Sequence, residues 1–197
     1  MIQVGDIATV RSGFPFRTRV EADPAGNALV LQMKDVSPLS GADVAGAVRT
    51  LVKAPDTHRL AAGDLVLKSR GSTYCAVIET IPDLPLIAAI PLFVLRPDPR
   101  RVSPAFLRWI LNHPRTQAEL TAAAVGTYVP TVAKPAIEGL RIELPSLETQ
   151  ALIVRIAELA GRERDLLEAI TKKRTDVTEH TLLRLSRSSG NTRKKRG

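Results

Sequence analysis

Cysteine and histidine are scarce in this sequence, and their scarcity excludes several kinds of site. Cys75 is the only cysteine among 197 residues, so the chain cannot form an internal disulfide. It stands in the apolar run "STYCAVIE", which predicts a small buried hydrophobe and not a nucleophile. Histidine occurs only at positions 58, 113 and 180, too scattered to indicate a zinc site or a Cys–His pair. We therefore expect neither a metal nor a cofactor.

Aromatic residues and long hydrophobic runs are also lacking. Aromatic residues make up 4% of the chain and hydrophobic residues 44%, so the core is expected to be aliphatic. No stretch reaches the ~18 apolar residues of a membrane span. The stretch "MIQVGDIATVRSG" lacks the hydrophobic part of a signal peptide. These absences predict a cytoplasmic protein without a membrane partner.

Acidic residues are missing from the C-terminal stretch "RSSGNTRKKRG". The formal net charge is +8, and five of the cations stand here, at positions 187, 193, 194, 195 and 196. The stretch also lacks apolar anchors, so we predict a disordered basic tail over residues 187–197. Its simplest effect is a non-specific attraction to nucleic acid.

Motifs typical of catalysis are absent as well. The sequence has no glycine-rich phosphate loop, no dinucleotide-binding glycine pattern and no Gly-x-Ser-x-Gly elbow. Pro55-Asp56, followed by Asp64 and Lys68, suggests a metal-dependent nuclease, but the last two are four positions apart where that pattern has two. Asp64 is more simply a turn residue before a strand. The chain is predicted to bind without catalysing a reaction.

Short strands dominate the first hundred residues. The runs "NALVLQMKDV", "AVRTLV" and "LPLIAAIPLFVLRPD" are typical of strands, the last because its prolines exclude a helix. "LAAGDLVLKSRGSTYCAVIETI" predicts two strands joined through "KSRGST". This connection carries two bases, a glycine and two hydroxyls, which suits a loop that approaches an anionic backbone.

Helices begin after residue 102. Ser103 is a candidate N-cap with Pro104 at the first helical position, and the apolar residues at 106, 107, 110 and 111 lie along one face. Pro114 ends this helix and starts a second one through about residue 124. A loop with Pro130 and Pro135 follows, and then a strand in "GLRIEL" that we expect to complete the sheet of this domain. The pattern indicates an α+β fold with a mixed-sheet domain over residues 1–146.

One long helix is predicted over residues 147–186, which contain no proline and a single glycine. Seam positions recur at alternating spacings of four and three, as in the a and d positions of a coiled coil, with polar Glu163 and Lys173 at two of them and apolar residues at the others. These seam residues are Leu152, Ile156, Leu159, Leu166, Ile170 and Val177. About 38 helical residues span roughly 57 Å, more than a 146-residue domain can cover. We therefore expect a second helix, from another copy or another protein; a helix folded back on its own domain is the alternative.

Five stretches in fixed order resemble a known family. They are "VGDIATVRSGFPF", "LVLQMKDVS", "AAGDLVLKSRGS", "PLFVLRPDPRRVSPAFLRWILNHP" and "VGTYVPTVAKPAIEGLRIELPSLETQALI". Together they resemble one target-recognition half of the specificity (S) subunit of type I restriction–modification systems. The resemblance covers most of residues 4–153, and the last stretch is its most specific part.

The resemblance implies a DNA reader without activity of its own. In that family a target-recognition domain reads a half-site in double-stranded DNA, and long helices hold the methyltransferase (modification) subunits. A restriction subunit that translocates DNA is an optional further partner. Full S subunits carry two such domains and two antiparallel helices, so a chain with one of each implies a half-subunit that forms a homodimer. Two-fold symmetry then predicts an interrupted palindromic target.

Candidate DNA contacts follow from the residue types. Phosphate contacts need long cations and hydroxyls, and base contacts need forked or amide groups. The candidates are Arg11, Arg17, Arg19, Gln32, Lys34, Lys68, Arg70, Ser72, Thr73, Tyr74, Tyr128, Thr131 and Lys134.

Other interpretations stay open at this point. Pro130 and Pro135 could merely route the chain, with Tyr128 packed inside. The chain could be a stand-alone DNA-binding module of another phage-defence complex. It could also be a coiled-coil scaffold whose basic tail binds nucleic acid, in which case deleting residues 187–197 abolishes that binding.

Overall fold

The computed structural model describes residues 1–38 and 41–191, and of residues 187–191 the backbone alone. The chain forms two compact units, Met1–Leu152 and Ile153–Gly197. No helix in the described part is both long enough and apolar enough to cross a membrane.

The first unit is a mixture of short strands and short helices, as expected. Its strands are β1 (Ile2–Gln3), β2 (Ala8–Ser12), β3 (Ala28–Leu31), β4 (Val36–Ser37), β5 (Gly41–Ala42), β6 (Val48–Thr50), β7 (Leu65–Lys68), β8 (Tyr74–Val77), β9 (Leu86–Ala88), β10 (Leu92–Pro97) and β11 (Arg141–Ile142). Its helices are α1 (Pro104–Asn112), α2 (Pro114–Ala122) and α3 (Lys134–Glu138), and α4 (Leu147–Asn191) begins in it.

The largest sheet is antiparallel, in the order β2-β10-β7-β8. In its register Val94 lies opposite Val66 and Leu67 lies opposite Cys75, and all four are buried. Because side chains alternate along a strand, Val66 faces one aliphatic cluster while Leu67 and Cys75 face the other side. Cys75 is thus a core residue, as predicted.

A smaller sheet, in the order β6-β3-β9, makes the architecture mixed. β3 pairs antiparallel with β6 and parallel with β9. The predicted strand "NALVLQMKDV" ends earlier than expected, since residues Met33–Asp35 form a 3-10 turn. In that turn the Asp35 carboxylate accepts a hydrogen bond from the Gln32 backbone N–H at 2.8 Å, which competes with strand pairing.

The two short helices follow their sequence signals. The Ser103 hydroxyl accepts a hydrogen bond from the Phe106 N–H at 3.2 Å, and Pro104 begins α1. The Asn112 amide at its end donates to the Cys75 carbonyl at 2.7 Å and accepts from the Cys75 N–H at 2.9 Å. These bonds attach α1 to the edge strand β8.

The segment after residue 125 departs from its prediction in two places. Lys134, expected in a loop, begins the short helix α3, whose Pro135 stands in the first turn. β11 does not complete the main sheet; it pairs antiparallel with β1 in a separate two-stranded sheet. The alternation of apolar and polar residues can predict a strand but not that β11 pairs with β1, because these two strands lie at opposite ends of the domain sequence.

The long helix α4 is present and exceeds its predicted length. It has 45 residues, roughly 67 Å at 1.5 Å per residue. The helix extends to Asn191, beyond the predicted end at about residue 186, because no proline interrupts the backbone and extending an existing helix needs no new nucleation. Residues 187–191 are therefore helical, and the rest of the predicted disordered tail lies outside the described residues.

Candidate nucleic-acid interface

The first part of the candidate site is the turn between β7 and β8, residues 69–73. The two strands pair in register, with Lys68 opposite Tyr74, so the turn is fixed at the end of the hairpin. Gly71 has a φ of +73°, a left-handed conformation that L side chains rarely adopt. This glycine allows the chain to reverse while the Arg70 and Ser72 side chains stay exposed.

The second part is the loop of residues 125–131. Val125 and Thr131 exchange two backbone hydrogen bonds, of 3.0 and 2.9 Å, which close the loop at its base. Gly126 has a φ of +119° at the start of the reversal, and Pro130 restricts the backbone near its end. The Thr131 hydroxyl donates to the Val129 carbonyl at 3.2 Å. The loop is thus stiffened by local bonds and by one proline.

The fold joins these two segments, although about sixty residues separate them in sequence. The Gly71 N–H donates to the Pro130 carbonyl at 3.0 Å, and the Val132 N–H donates to the Ser69 carbonyl at 2.7 Å. Arg70 and Thr131 form the bridge between them. Ser69 is buried, and its hydroxyl donates to the Pro91 carbonyl at 2.6 Å. Each loop therefore supports the other; we call the pair, residues 69–73 and 125–131, the braced loops.

Several predicted contact residues lie on or beside the braced loops. They are Lys68, Arg70, Ser72, Thr73, Tyr128, Thr131 and Lys134. Tyr128 is 99% exposed, so the alternative in which it packs inside is wrong. The Arg70 side chain is exposed and makes no ion pair within the described residues. Lys134 is exposed and pairs with Glu138 on the same helix at 3.4 Å.

A shallow groove connects Arg70 to a second group of candidates. Its volume is about 280 Å³, and Arg70, Gln32, Phe16 and Thr18 are among its lining residues. Arg17 and Arg19 belong to the same irregular segment as Phe16 and Thr18, and both are exposed. Arg70 is therefore the residue through which the braced loops adjoin the groove.

Arg11, another predicted contact residue, is bound within the protein. Its guanidinium donates to the Arg59 carbonyl at 2.9 Å and lies 3.9 Å from the Asp64 carboxylate. Desolvation by burial lowers the pKa of Arg11, and the Asp64 charge opposes that change. The side chain is held by the protein at the end of β7 opposite to the turn, away from the braced loops.

Asp64 proves to be a structural carboxylate. It is 2% exposed, and its two oxygens accept hydrogen bonds from Arg96 Nε and Nη2, both at 2.7 Å. It also accepts from the Ala61 N–H at 2.9 Å, as a turn residue does. The hydrogen bond to Asp64 raises the pKa of Arg96. No group of three or more His, Cys, Asp or Glu within the described ranges could hold a metal ion.

Thr73 on the first braced loop, and the candidates Lys34 and Tyr74, have further neighbours within the protein. The Thr73 hydroxyl is hydrogen-bonded to the Gln117 side-chain oxygen on α2. Lys34 lies 3.1 Å from the Asp35 carboxylate, although its own side chain is exposed. Tyr74 lines a separate groove of about 510 Å³. Burial raises the pKa of Tyr74, and the nearby charge of Arg108 opposes the shift.

Residues that sequence reasoning did not single out also build the site. Gln117 and Ser69 hold the turn, and Phe16 lines the groove next to Gln32. The stretch "VGDIATVRSGFPF" includes Phe16, but nothing in the sequence places this segment beside Arg70. Gly71 and Gly126 were the available signals, since each marks a reversal of the chain.

Comparison with known proteins relates this fold to solved structures. No protein-family model matches the sequence, and no curated protein does. A type I restriction–modification S subunit from M. genitalium matches with a TM-score of 0.55 and 13% identity, over 85% of this chain and 40% of that chain. The HsdS subunit from Thermoanaerobacter tengcongensis matches with a TM-score of 0.60 and 20% identity, over 85% and 38%.

A third structure, which concerns complex assembly and conformational transition of the type I system, matches with a TM-score of 0.65. Its identity is 19%, over 89% of this chain and 45% of that chain. This chain thus spans less than half the length of each of these three structures. Because identities this low relate folds and not activities, the likeness is one of architecture. On that ground, the chain has the fold of type I restriction–modification specificity subunits.

Proposed function

We propose that this chain is a non-catalytic specificity subunit that binds double-stranded DNA at a defined sequence and directs type I methyltransferase subunits to it. The observation that carries the proposal is the pair of braced loops. They carry one cation, several hydroxyls and an exposed tyrosine, with Lys68 and Lys134 beside them, within a fold shared with such subunits. Rigid surface loops on a packed scaffold are a common location for recognition.

Charge supports a polyanionic ligand. Residues 65–78 and 120–137, which include the braced loops and their flanks, contain no Asp or Glu. They carry the cations Lys68, Arg70 and Lys134. Phosphate contacts from lysine, serine and threonine position a protein on DNA, and an arginine fork or an amide discriminates bases. Arg70 and Gln32, which line one groove, are the base-reading candidates in this proposal.

The long helix supplies the proposed assembly surface. The six seam residues of α4, from Leu152 to Val177, are between 49% and 66% exposed in the single chain. Burying this apolar stripe against a second copy is favourable, and a two-fold pair would present two readers in opposite orientation. The DNA target is then an interrupted palindrome, and the length of the helix sets the spacer between its two half-sites. We place the protein in the cytoplasm, with a methyltransferase subunit and an optional restriction subunit as its partners.

The test is selection of bound sites from a random duplex pool, with the full chain co-purified with its methyltransferase. We expect enrichment of an interrupted palindrome. Enrichment of a single half-site would retain the DNA reader and contradict the symmetric pair. Salt-sensitive binding without any motif would contradict the specificity role, because non-specific binding depends on phosphate charge alone.

A tail deletion separates the proposed reader from a scaffold with a nucleic-acid-binding tail. The variant ends at residue 186, so it lacks the cations of the tail. We expect the same motif with a weaker dependence of affinity on salt concentration. Loss of all binding would contradict the proposal and favour the scaffold.

A further inference from the structure

Tyr128 is unusual among the large side chains of the first unit because it is almost completely exposed at a rigid position. Its exposed fraction is 99%, and its neighbours Val125 and Val129 are 75% and 43% exposed. Three exposed apolar side chains on one loop of seven residues are a candidate surface for contact with another molecule. Tyrosine in particular contributes large contact area at a small entropic cost, since it has two side-chain torsions.

The support behind Tyr128 is stiff. The Val125–Thr131 backbone pair closes the loop, the Thr131 hydroxyl bonds the Val129 carbonyl, and Gly71 bonds Pro130 from the opposite side. A side chain on such a loop loses little freedom when it is buried in a complex. Because the loop is held in one conformation, it is suited to place a side chain into a ligand and not to change its own shape around that ligand.

The surroundings of the ring favour nucleic acid over a protein partner. A protein partner would bury a continuous apolar patch, whereas the braced loops also carry hydroxyls and positive charge, at Thr127, Thr131 and Arg70. Acidic residues are absent from both braced loops. A ring flanked by phosphate-binding groups is the arrangement by which proteins stack on bases while they hold the backbone.

We propose that Tyr128 is a wedge: its ring inserts between two stacked bases of the bound duplex, with Val129 behind it, and bends the DNA at that step. The inference rests on the proposed function, since it concerns how the same surface treats its DNA. Apolar wedges that partly unstack a base step kink the duplex, and their energetic cost depends on the step. Tyr128 would therefore favour flexible steps without forming hydrogen bonds to them.

Affinity measurements on the full chain test the ring. The probe is a synthetic duplex that carries the selected site. Tyr128→Ala should weaken binding by between about 5-fold and about 150-fold, the range of base–aromatic stacking, and Tyr128→Phe should bind as the original chain does. Ile81→Ala is the matched control, because Ile81 is an exposed apolar residue beyond the opposite end of β8 and should change nothing. Unchanged affinity for Tyr128→Ala would overturn the inference.

Two spectroscopic measurements test the insertion itself. Tyr128→Trp places an indole at the loop, and stacking on bases should quench its fluorescence beyond the small change from Trp109 alone. Dyes at the two ends of the duplex should report a bend with the original chain and none with Tyr128→Ala. A quenched indole on an unbent duplex would overturn the inference, since the ring would then contact a base without opening the base step.

The remaining outcomes are equally decisive. If Tyr128→Ala loses the methyltransferase and leaves the bend unchanged, the ring contacts protein and the inference is wrong while the specificity role stands. If the original chain selects no site from the random pool, the proposed function fails and this inference fails with it.

Discussion

The backbone N–H of Gly71 donates to the carbonyl oxygen of Pro130 over 3.0 Å. This bond joins a hairpin turn near the middle of the first unit to a loop about sixty residues later. Both loops become less free than either would be alone, because each supplies the other with hydrogen-bond partners. The exposed side chains that they carry, including Arg70 and Tyr128, are thereby held at fixed relative positions.

Arg70 should contribute to sequence discrimination. Replacing Arg70 by Ala is expected to weaken binding to the selected site by about 1–3 kcal/mol, the usual value of a bidentate contact to guanine, and to relax the motif at one position. Binding isotherms at several salt concentrations measure both effects. Arg100→Ala is the control, because Arg100 is exposed, pairs with Asp98 at 3.1 Å and follows the opposite end of the sheet. Unchanged affinity and salt slope for Arg70→Ala would remove Arg70 from the interface.

Gln150 should be essential for the stability of the first unit. It is completely buried: its side chain accepts from the Ser103 N–H and donates to the Arg101 and Pro145 carbonyls, each at 2.9 Å. Gln150→Leu leaves these backbone groups without partners, so the free energy of unfolding should fall by about 2–4 kcal/mol. Urea denaturation measures it. Glu148→Gln, an exposed change in the same helical turn, should have almost no effect; an equal loss in both variants would refute this role.

Stability should decrease in alkaline solution because of Cys75. Complete burial raises the pKa of the thiol above its ordinary value of 9.0. The folded state keeps the proton where the unfolded state has released it, so the contribution of this group is fully present below pH 9 and is lost as the pH rises above it. The slope approaches about 1.4 kcal/mol per pH unit. Denaturation of the original chain and Cys75→Ala at several pH values checks this: equal slopes would contradict it.

The seam of α4 should hold the proposed pair together. Leu166 is 64% exposed in the single chain, and Leu166→Glu would put a charge into the apolar contact. We expect self-association to weaken by at least tenfold, measured by sedimentation equilibrium, while binding of one half-site persists. Lys172→Glu changes the charge on another face of the same helix and should leave self-association intact. Monomers in the original chain at all concentrations would contradict the pair.

Local signals predicted most of the elements. The Ser103 cap and Pro104 predicted the start of α1, and the residues around "KSRGST" predicted two strands and their turn. Capping and turn chemistry act over three or four residues, which is why the sequence displays them. The same reasoning missed α3, where a proline that suits a loop also suits the first turn of a helix.

Candidate site residues could be chosen from the sequence by their chemical type, whereas their arrangement in space could not. Arg70 and Tyr128 were identified from their chemistry, and the structure places both on the braced loops. Arg11 was chosen for the same chemistry and is instead held by Arg59 and Asp64. A cation that binds phosphate and one that binds an internal carboxylate have the same local sequence, so only their neighbours in space distinguish them.

The sequence by itself determined the order of the elements, the aliphatic core and the long helix with its apolar seam, because these depend on periodicity and on the placement of glycine and proline. The tertiary structure alone decided that Gly71 meets Pro130, that β11 pairs with β1 and that Gln150 is buried at the start of α4. Each of these is a contact between residues far apart in the chain. Such contacts arise from the packing of whole elements against one another, and no local pattern encodes them.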